Sequence, residues 1–503
     1  MQKSVIEYLQ STVSRFPAKI AVKDSEMSIT FGDLWRNAQK ISAALVNTNI
    51  GLNNPIGVYI PKGGKMIESF AGINMSGNFY VPLDTKSPVS RVSSIIKTLE
   101  SKVLITDRSH IETLRDFTHV RILVAEDIIE GDINIENAFS QFTHQIDTDP
   151  VYSIFTSGST GIPKGVVVSH RGVIDYIDWA KDTFHFMSDA VIGNQAPFYF
   201  DNSTLDIYLM YSTGATLIIP ESNFAFPAKL VDYLNEEKIT FVFWVPFVLI
   251  NVANLNIFET KKPIYMKDVF FAGEVMPNKH LNYWRKHLPN CRYANLYGPT
   301  EITVDCTFYE VKREFSDSEP LPIGFPCRNS DVLILVDRKR RAAKGEQGEL
   351  CVRGSSLALG YYNSPQKTAS AFIQNPLHNY YPETIYCTGD VVYENEYGEI
   401  MYVGRVDSQI KHNGYRIELG EIETAILGSH MVDSCCVVYD FANKKIVMFY
   451  QATEELDMAT FRKVISTSIP RYMQPTVYHH IRELQRNTNG KIDRLFYNNQ
   501  VNG

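Results

Sequence analysis

Cysteine is scarce and poorly spaced. The 503 residues hold seven, at Cys291, Cys306, Cys327, Cys351, Cys387, Cys435 and Cys436, with no Cys-x-x-Cys pair. The odd count and the missing spacing argue against a zinc site or a disulfide framework, and favour a reducing, cytoplasmic setting. Basic charge is short as well: 49 Lys and Arg stand against 56 Asp and Glu, a net charge of −7. That balance does not suggest the cationic face of a nucleic-acid binder, and no nucleic-acid partner is expected. No uncharged apolar run approaches the roughly 20 residues of a membrane span. No secretion signal is expected from the opening residues. Residues 1–16 place Ile6, Leu9, Val13 and Phe16 at helical spacing with charges between them, an amphipathic helix closed before Pro17. Internal repeats, low-complexity tracts and long linkers are missing too.

What is present is ordinary globular composition, 44% hydrophobic and 21% charged. The length suits two to four domains. Short apolar runs alternate with helical patterns. Ile56 to Ile60, Val103 to Thr106 and Val120 to Val124 read as strands. So do Val151 to Phe155, Phe241 to Val245 and Val269 to Phe271. Helical patterns fall near 33–46, 66–75, 226–236 and 278–287. That rhythm predicts an α/β fold with largely parallel sheets. Beyond about residue 322 the pattern turns to strands with glycine turns, a β-rich subdomain over about 322–406. Residues 407–503 read as a separate small α+β domain.

Thr156-Ser157-Gly158-Ser159-Thr160-Gly161-Ile162-Pro163-Lys164-Gly165 joins two of these strands. Hydroxyls, glycine-exposed N–H groups and one lysine suit a polyphosphate. The same composition suits a flexible hairpin loop. It is not a Walker loop, because no Gly-Lys-Ser/Thr follows at the required spacing. The stretch resembles the phosphate loop of the adenylate-forming superfamily, which comprises acyl-CoA synthetases, luciferases and amino-acid adenylation domains.

Further motifs recur in that superfamily's order. Asn295-Leu296-Tyr297-Gly298-Pro299-Thr300-Glu301 is similar to its adenine-binding motif. Tyr297 offers a flat face to a purine, Thr300 a phosphate donor and Glu301 a carboxylate for Mg²⁺. Asp390, in Tyr386-Cys387-Thr388-Gly389-Asp390, matches the residue that grips the ribose hydroxyls. Arg405 resembles the arginine that contacts the nucleotide, and Asp407 the hinge of a mobile C-terminal domain. Gly414 falls in a stretch, residues 409–418, that resembles the loop which enters the family's active site, where glycine would let a phosphopantetheine arm pass. Lys491 resembles the mobile lysine that bridges substrate carboxylate and α-phosphate. Phe79-Tyr80-Val81-Pro82-Leu83-Asp84 and Gly348-Glu349-Leu350 also match. The resemblance implies a large N-terminal core over 1–406 and a mobile domain over 407–503. It implies ATP and Mg²⁺ as cofactors.

Phe198-Tyr199-Phe200-Asp201 points to the amino-acid branch. In that branch an Asp at this place binds the substrate ammonium, so the resemblance implies that role for Asp201, and a buried carboxylate wants a cation. The family pocket carries over to Asn202, Leu205, Trp244, Phe270, Ala272, Leu296, Val304 and Asp305. Trp244 and Phe270 would leave room only for a small side chain, as in alanine, D-alanine, glycine or serine. Asp305 is the polar exception, suited to a hydroxyl or a cation. Leu205-Asp206-Ile207-Tyr208 and residues 272–278 are most similar to stand-alone D-alanine–carrier protein ligases, although Ala272 replaces their usual Cys. The implied reaction forms aminoacyl-AMP and passes the acyl group to the phosphopantetheine of a separate carrier protein. An acyl- or aryl-CoA ligase of the same fold is the alternative.

Overall fold

The computed structural model describes residues 2–158, 163–220, 226–407, 409–486 and 492–503. The chain divides into two compact units. The first comprises Met1–Leu83, Ser101–Ile154 and Val166–Val406, and the second Asp84–Glu100, Phe155–Gly165 and Asp407–Gly503.

Among the described residues, three sheets build the first unit. A nine-stranded sheet runs in the order Phe325–Pro326, Thr307–Glu310, Arg292–Tyr297, Asp268–Phe271, Phe241–Trp244, Val191–Gly193, Thr216–Ile218, Ile20–Lys23 and Ser28–Thr30. Its middle strands are parallel, and antiparallel partners close both ends. A seven-stranded sheet centres on the parallel strands Phe79–Pro82, Pro55–Tyr59 and Val103–Thr106. The helices Phe31–Val46 and Gly64–Met75 pack on each other. Thr30 ends its strand and caps the first of these helices by accepting the N–H of Asp33. The third sheet is antiparallel: Ser330–Val336, Gly348–Gly354 and Thr384–Glu394 form its centre, and Ile400–Arg405 pairs with the last.

The helix Asn202–Thr213 lay hidden in the sequence for a physical reason. Ser203, Thr204, Leu205, Asp206, Ile207 and Tyr208 are all buried, so no single apolar stripe marks it. It lies against the helices Val5–Arg15 and His170–Phe184 and the strands Thr216–Ile218 and Phe241–Trp244. Some of its polar groups find partners inside. Tyr208 meets the Tyr80 hydroxyl at 3.0 Å, and Asp206 Oδ2 accepts Asn194 Nδ2 at 2.7 Å.

Burial pushes the Asp206 carboxyl up from 3.8 to about 7. A folded pKa above the unfolded one means that folding favours the protonated form. Its contribution is therefore full below about pH 4 and is lost as pH rises to about 7. Asp206→Asn should remove that loss and raise thermal stability above about pH 7, where the wild type carries the buried charge. Glu68, also pushed up to about 7 by burial, keeps part of the slope. Tm measured against pH checks this, and parallel profiles for the two proteins would reject it.

In the second unit, Gln409–His412 and Tyr415–Glu418 form a hairpin. Asn413 and Gly414 join them with φ of 52° and 84°, the signature of a two-residue Asn-Gly turn. The helix Leu419–Gly428 follows, packed on Ser434–Asp440. That strand pairs antiparallel with Lys445–Gln451, which takes Val477–His480 as a parallel neighbour. The helix Met458–Ile465 lies in the crossover such a parallel step requires. Ile417, Ile422, Val437, Met448 and Phe461 fill the core. Among the described residues no helix is long and apolar enough to cross a membrane.

Candidate active site

Asp390 is the centre of a buried polar cluster in the first unit. It faces Arg405 across the antiparallel strands Thr384–Glu394 and Ile400–Arg405. Arg405 Nη1 donates to Asp390 Oδ1 at 2.7 Å, and Nη2 to the carbonyl of Thr388 at 3.2 Å. Tyr297, at the end of the strand Arg292–Tyr297, donates its hydroxyl to Asp390 Oδ2. Burial and the neighbouring carboxylate push the Tyr297 phenol well up, so it stays a donor. The Asp390 N–H donates to Thr388 Oγ1 at 3.0 Å, and the Gly389 N–H to Glu349 Oε1 at 2.9 Å. A carboxylate offers about four acceptor sites, so two more hydroxyls can still be received.

The turn after Tyr297 is tightly folded. A Cβ on Gly298 would lie 2.3 Å from the carbonyl oxygen of Val304 and 2.6 Å from Asp305 Cα, so only glycine fits. Asn295 is buried and donates Nδ2 to the Pro322 carbonyl at 2.8 Å. Thr300 and Glu301 begin a short 3₁₀ turn, Thr300–Ile302, and both are buried. Glu301 Oε1 accepts the Tyr361 hydroxyl at 2.8 Å. Beyond it Thr303 and Val304 take φ of 56° and 74°, a left-handed pair in β-branched residues. The strain is held by the Thr303 hydroxyl on the Ser356 carbonyl at 2.7 Å and the Cys306 N–H on the Tyr297 carbonyl at 2.8 Å. Tyr361 and Thr303 were not singled out from sequence. Both depend on partners that are far away in the chain.

The residues carried over as a substrate pocket divide. Leu205, Phe270, Ala272, Leu296 and Val304 belong to one buried cluster. Asp201 stands at the N-cap of the helix Asn202–Thr213 without making a side-chain cap bond, and Asn202 follows it. Trp244 is not part of that cluster. It packs with Val242 and Phe271 in the second core and donates its indole N–H to the Gly193 carbonyl at 2.8 Å. Strand alternation puts Phe243 on the other face, with Phe270, which is its cross-strand partner. Asp305, suited by its chemistry to a hydroxyl, receives that of Tyr176 at 2.6 Å.

The second unit holds the remaining candidates. Thr156 ends a strand, and its buried Oγ1 finds no partner among the described residues. Such an orphaned hydroxyl fits a phosphate oxygen. Ser157 Oγ donates to the Arg416 carbonyl at 2.8 Å, and the Gly158 N–H to Glu421 Oε2 at 3.2 Å. Glu421 also pairs with the buried Arg91. Lys164 opens the strand Lys164–Ser169. Asp407 Oδ1 accepts the Gln409 N–H at 3.2 Å, and Gly414 sits in the hairpin turn. Ser159, Thr160, Gly161 and Lys491 lie outside the described residues.

Residues 9–362 match the AMP-binding enzyme family, and the chain belongs to it. It is 31% identical to the L-proline–[L-prolyl-carrier protein] ligase of Pseudomonas fluorescens, with all of both chains covered. It is 30% identical to the D-alanine–D-alanyl carrier protein ligase of Bacillus licheniformis, over 97% of this chain and 98% of that one. Against tyrocidine synthase 3 of Brevibacillus parabrevis it is 29% identical and spans 7% of that protein. The fold is that of the Vibrio cholerae adenylation domain AlmE, solved in complex with glycyl-adenosine-5'-phosphate. The TM-score is 0.85 at 19% identity, covering 100% of this chain and 98% of that one.

Proposed function

We propose that this enzyme activates a small amino acid as aminoacyl-AMP and transfers it to the phosphopantetheine thiol of a separate carrier protein. The buried Tyr297–Asp390–Arg405 cluster carries the reading, in a chain that belongs to the AMP-binding family. Asp390 receives the ribose hydroxyls and Tyr297 lies along the purine. Thr156, Ser157, Gly158, Ser159, Thr160, Gly161 and Lys164 hold the phosphates of ATP. Glu301 would hold Mg²⁺, whose charge neutralises phosphate oxygens.

The first half-reaction needs no base, because the substrate carboxylate is already a nucleophile. Its oxygen attacks the α-phosphorus, and pyrophosphate leaves. Catalysis is positioning and charge stabilisation, supplied by Thr300, Arg405 and Lys491. In the second half the thiol sulfur attacks the acyl carbon and AMP leaves. Asp407 is the hinge and Gly414 lies beside the pantetheine arm. Asp201 receives the ammonium group, which distinguishes amino acids from other carboxylic acids. Phe243 and Phe270 limit the side chain. The enzyme works in the cytoplasm.

ATP–pyrophosphate exchange across D- and L-amino acids, glycine and amine-free carboxylic acids tests this. Response to small amino acids supports it; response only to amine-free acids rejects it. Phe243→Ala should extend activity to larger side chains, whereas Trp244→Phe should leave the selectivity unchanged. The reverse result would restore Trp244 as the selecting residue.

A further inference from the structure

Outside this site, Cys351 and Cys387 stand opposite one another. They lie 36 residues apart, too far for any spacing rule to join them. The antiparallel strands Gly348–Gly354 and Thr384–Glu394 bring them into direct cross-strand register. Directly opposed residues in such a pair have Cα atoms about 4.5–5.5 Å apart, within the range that a disulfide spans. Their sulfurs are 3.3 Å apart, with the Cys351 thiol donating to Cys387. Both are buried, and Leu333, Leu335 and Ile385 surround them with apolar surface.

One polar pair borders the two thiols. Glu349 places a carboxylate oxygen within 4.8 Å of both sulfurs, a grouping that also resembles a metal site. That carboxylate is already engaged. Arg338 donates to both of its oxygens, at 2.5 and 2.8 Å, and the Gly389 N–H donates at 2.9 Å. It is paired and held, which leaves two sulfurs and no free third ligand among the described residues. The donated hydrogen bond from Cys351 holds the Cys387 thiol below its usual range, against burial and the Glu349 carboxylate, which push it up. Cys387 is 5% exposed where Cys351 is fully enclosed, so a small oxidant reaches the Cys387 sulfur first.

We propose that Cys351 and Cys387 form a reversible dithiol–disulfide site, oxidised by a hydroperoxide. The Cys387 sulfur attacks one peroxide oxygen and the O–O bond breaks. With hydrogen peroxide, the leaving hydroxide takes the thiol proton and departs as water. The Cys351 sulfur then attacks the sulfenic sulfur, the S–S bond forms, and the hydroxyl leaves as a second water with the Cys351 proton. Two thiols are oxidised by two electrons and one peroxide is reduced to two waters. The strands already face each other, so closure asks the sulfurs to approach by about 1.3 Å, to the usual S–S length of about 2.05 Å. Cys387 directly precedes Thr388-Gly389-Asp390, so the bond would tie the Asp390 strand to its neighbour.

Titration of the intact protein with hydrogen peroxide, followed by denaturation, alkylation and peptide mapping, tests this. Two of the seven thiols should be lost together, with one linked peptide pair containing Cys351 and Cys387, and dithiothreitol should restore both. Cys351→Ser should abolish the linked pair and leave Cys387 trapped as sulfenic acid, detected with a dimedone probe. Thiol counting on the wild type keeps the question open to test if that variant does not fold. Loss of other cysteines first, or no linked pair at peroxide levels that oxidise surface methionines, would overturn the proposal. So would stoichiometric Cd²⁺ binding with thiolate charge-transfer absorption that protects both thiols while no disulfide forms.

Discussion

Lys491→Ala should lower ATP–pyrophosphate exchange by about 10²–10³-fold while sparing thiol acylation from supplied aminoacyl-AMP. The magnitude is that of removing one charge-stabilising donor from a transition state. The split follows from the proposed roles. In the first half-reaction negative charge accumulates between the attacking carboxylate and the α-phosphate, and one cation between them stabilises both. In the second half the thiol attacks a carbon whose leaving group is already formed, and that cation has no part. Single-turnover assays of the separate halves measure both. Equal loss in the two would remove Lys491 from its assigned role.

Asp390→Ala should be the most damaging substitution in the first unit, because it acts on fold and on site together. Arg405 is only 11% exposed at its side chain and would be left without its carboxylate. Breaking a buried pair by removing one partner costs about 3–5 kcal/mol. The Tyr297 hydroxyl loses its acceptor at the same time. Exchange activity should vanish and urea unfolding should shift to a lower midpoint. A double variant separates the causes. Asp390→Ala with Arg405→Leu should recover much of the stability, since no charge stays buried, and should recover no exchange. Recovered activity in that variant would show that Asp390 matters to packing alone.

The alternating strands and helices were legible because each signal is local. Gly298 could be singled out because its turn is written in adjacent residues, Tyr-Gly-Pro-Thr-Glu. The hairpin around Asn413 and Gly414 is equally local, since an Asn-Gly pair favours positive φ at both positions. The helix Asn202–Thr213 was not legible, because burial on every side erases the period that marks a helix.

Side-chain placement divides along the same line. Residue types such as Asp390, Arg405 and Glu301 announce their chemistry in one dimension. Their partners do not. Tyr361 reaches Glu301 across 60 residues, and Tyr176 reaches Asp305 across 129. The choice between Phe243 and Trp244 turns on a single residue of strand register, which inverts every side chain and which the apolar run Phe241–Trp244 leaves open. The spacing of seven scattered cysteines argues against a framework, yet cross-strand register sets Cys351 against Cys387. Composition and local pattern decide what a segment can be. Which distant groups meet depends on how sheets pair and close, and that is settled by the burial of the whole chain.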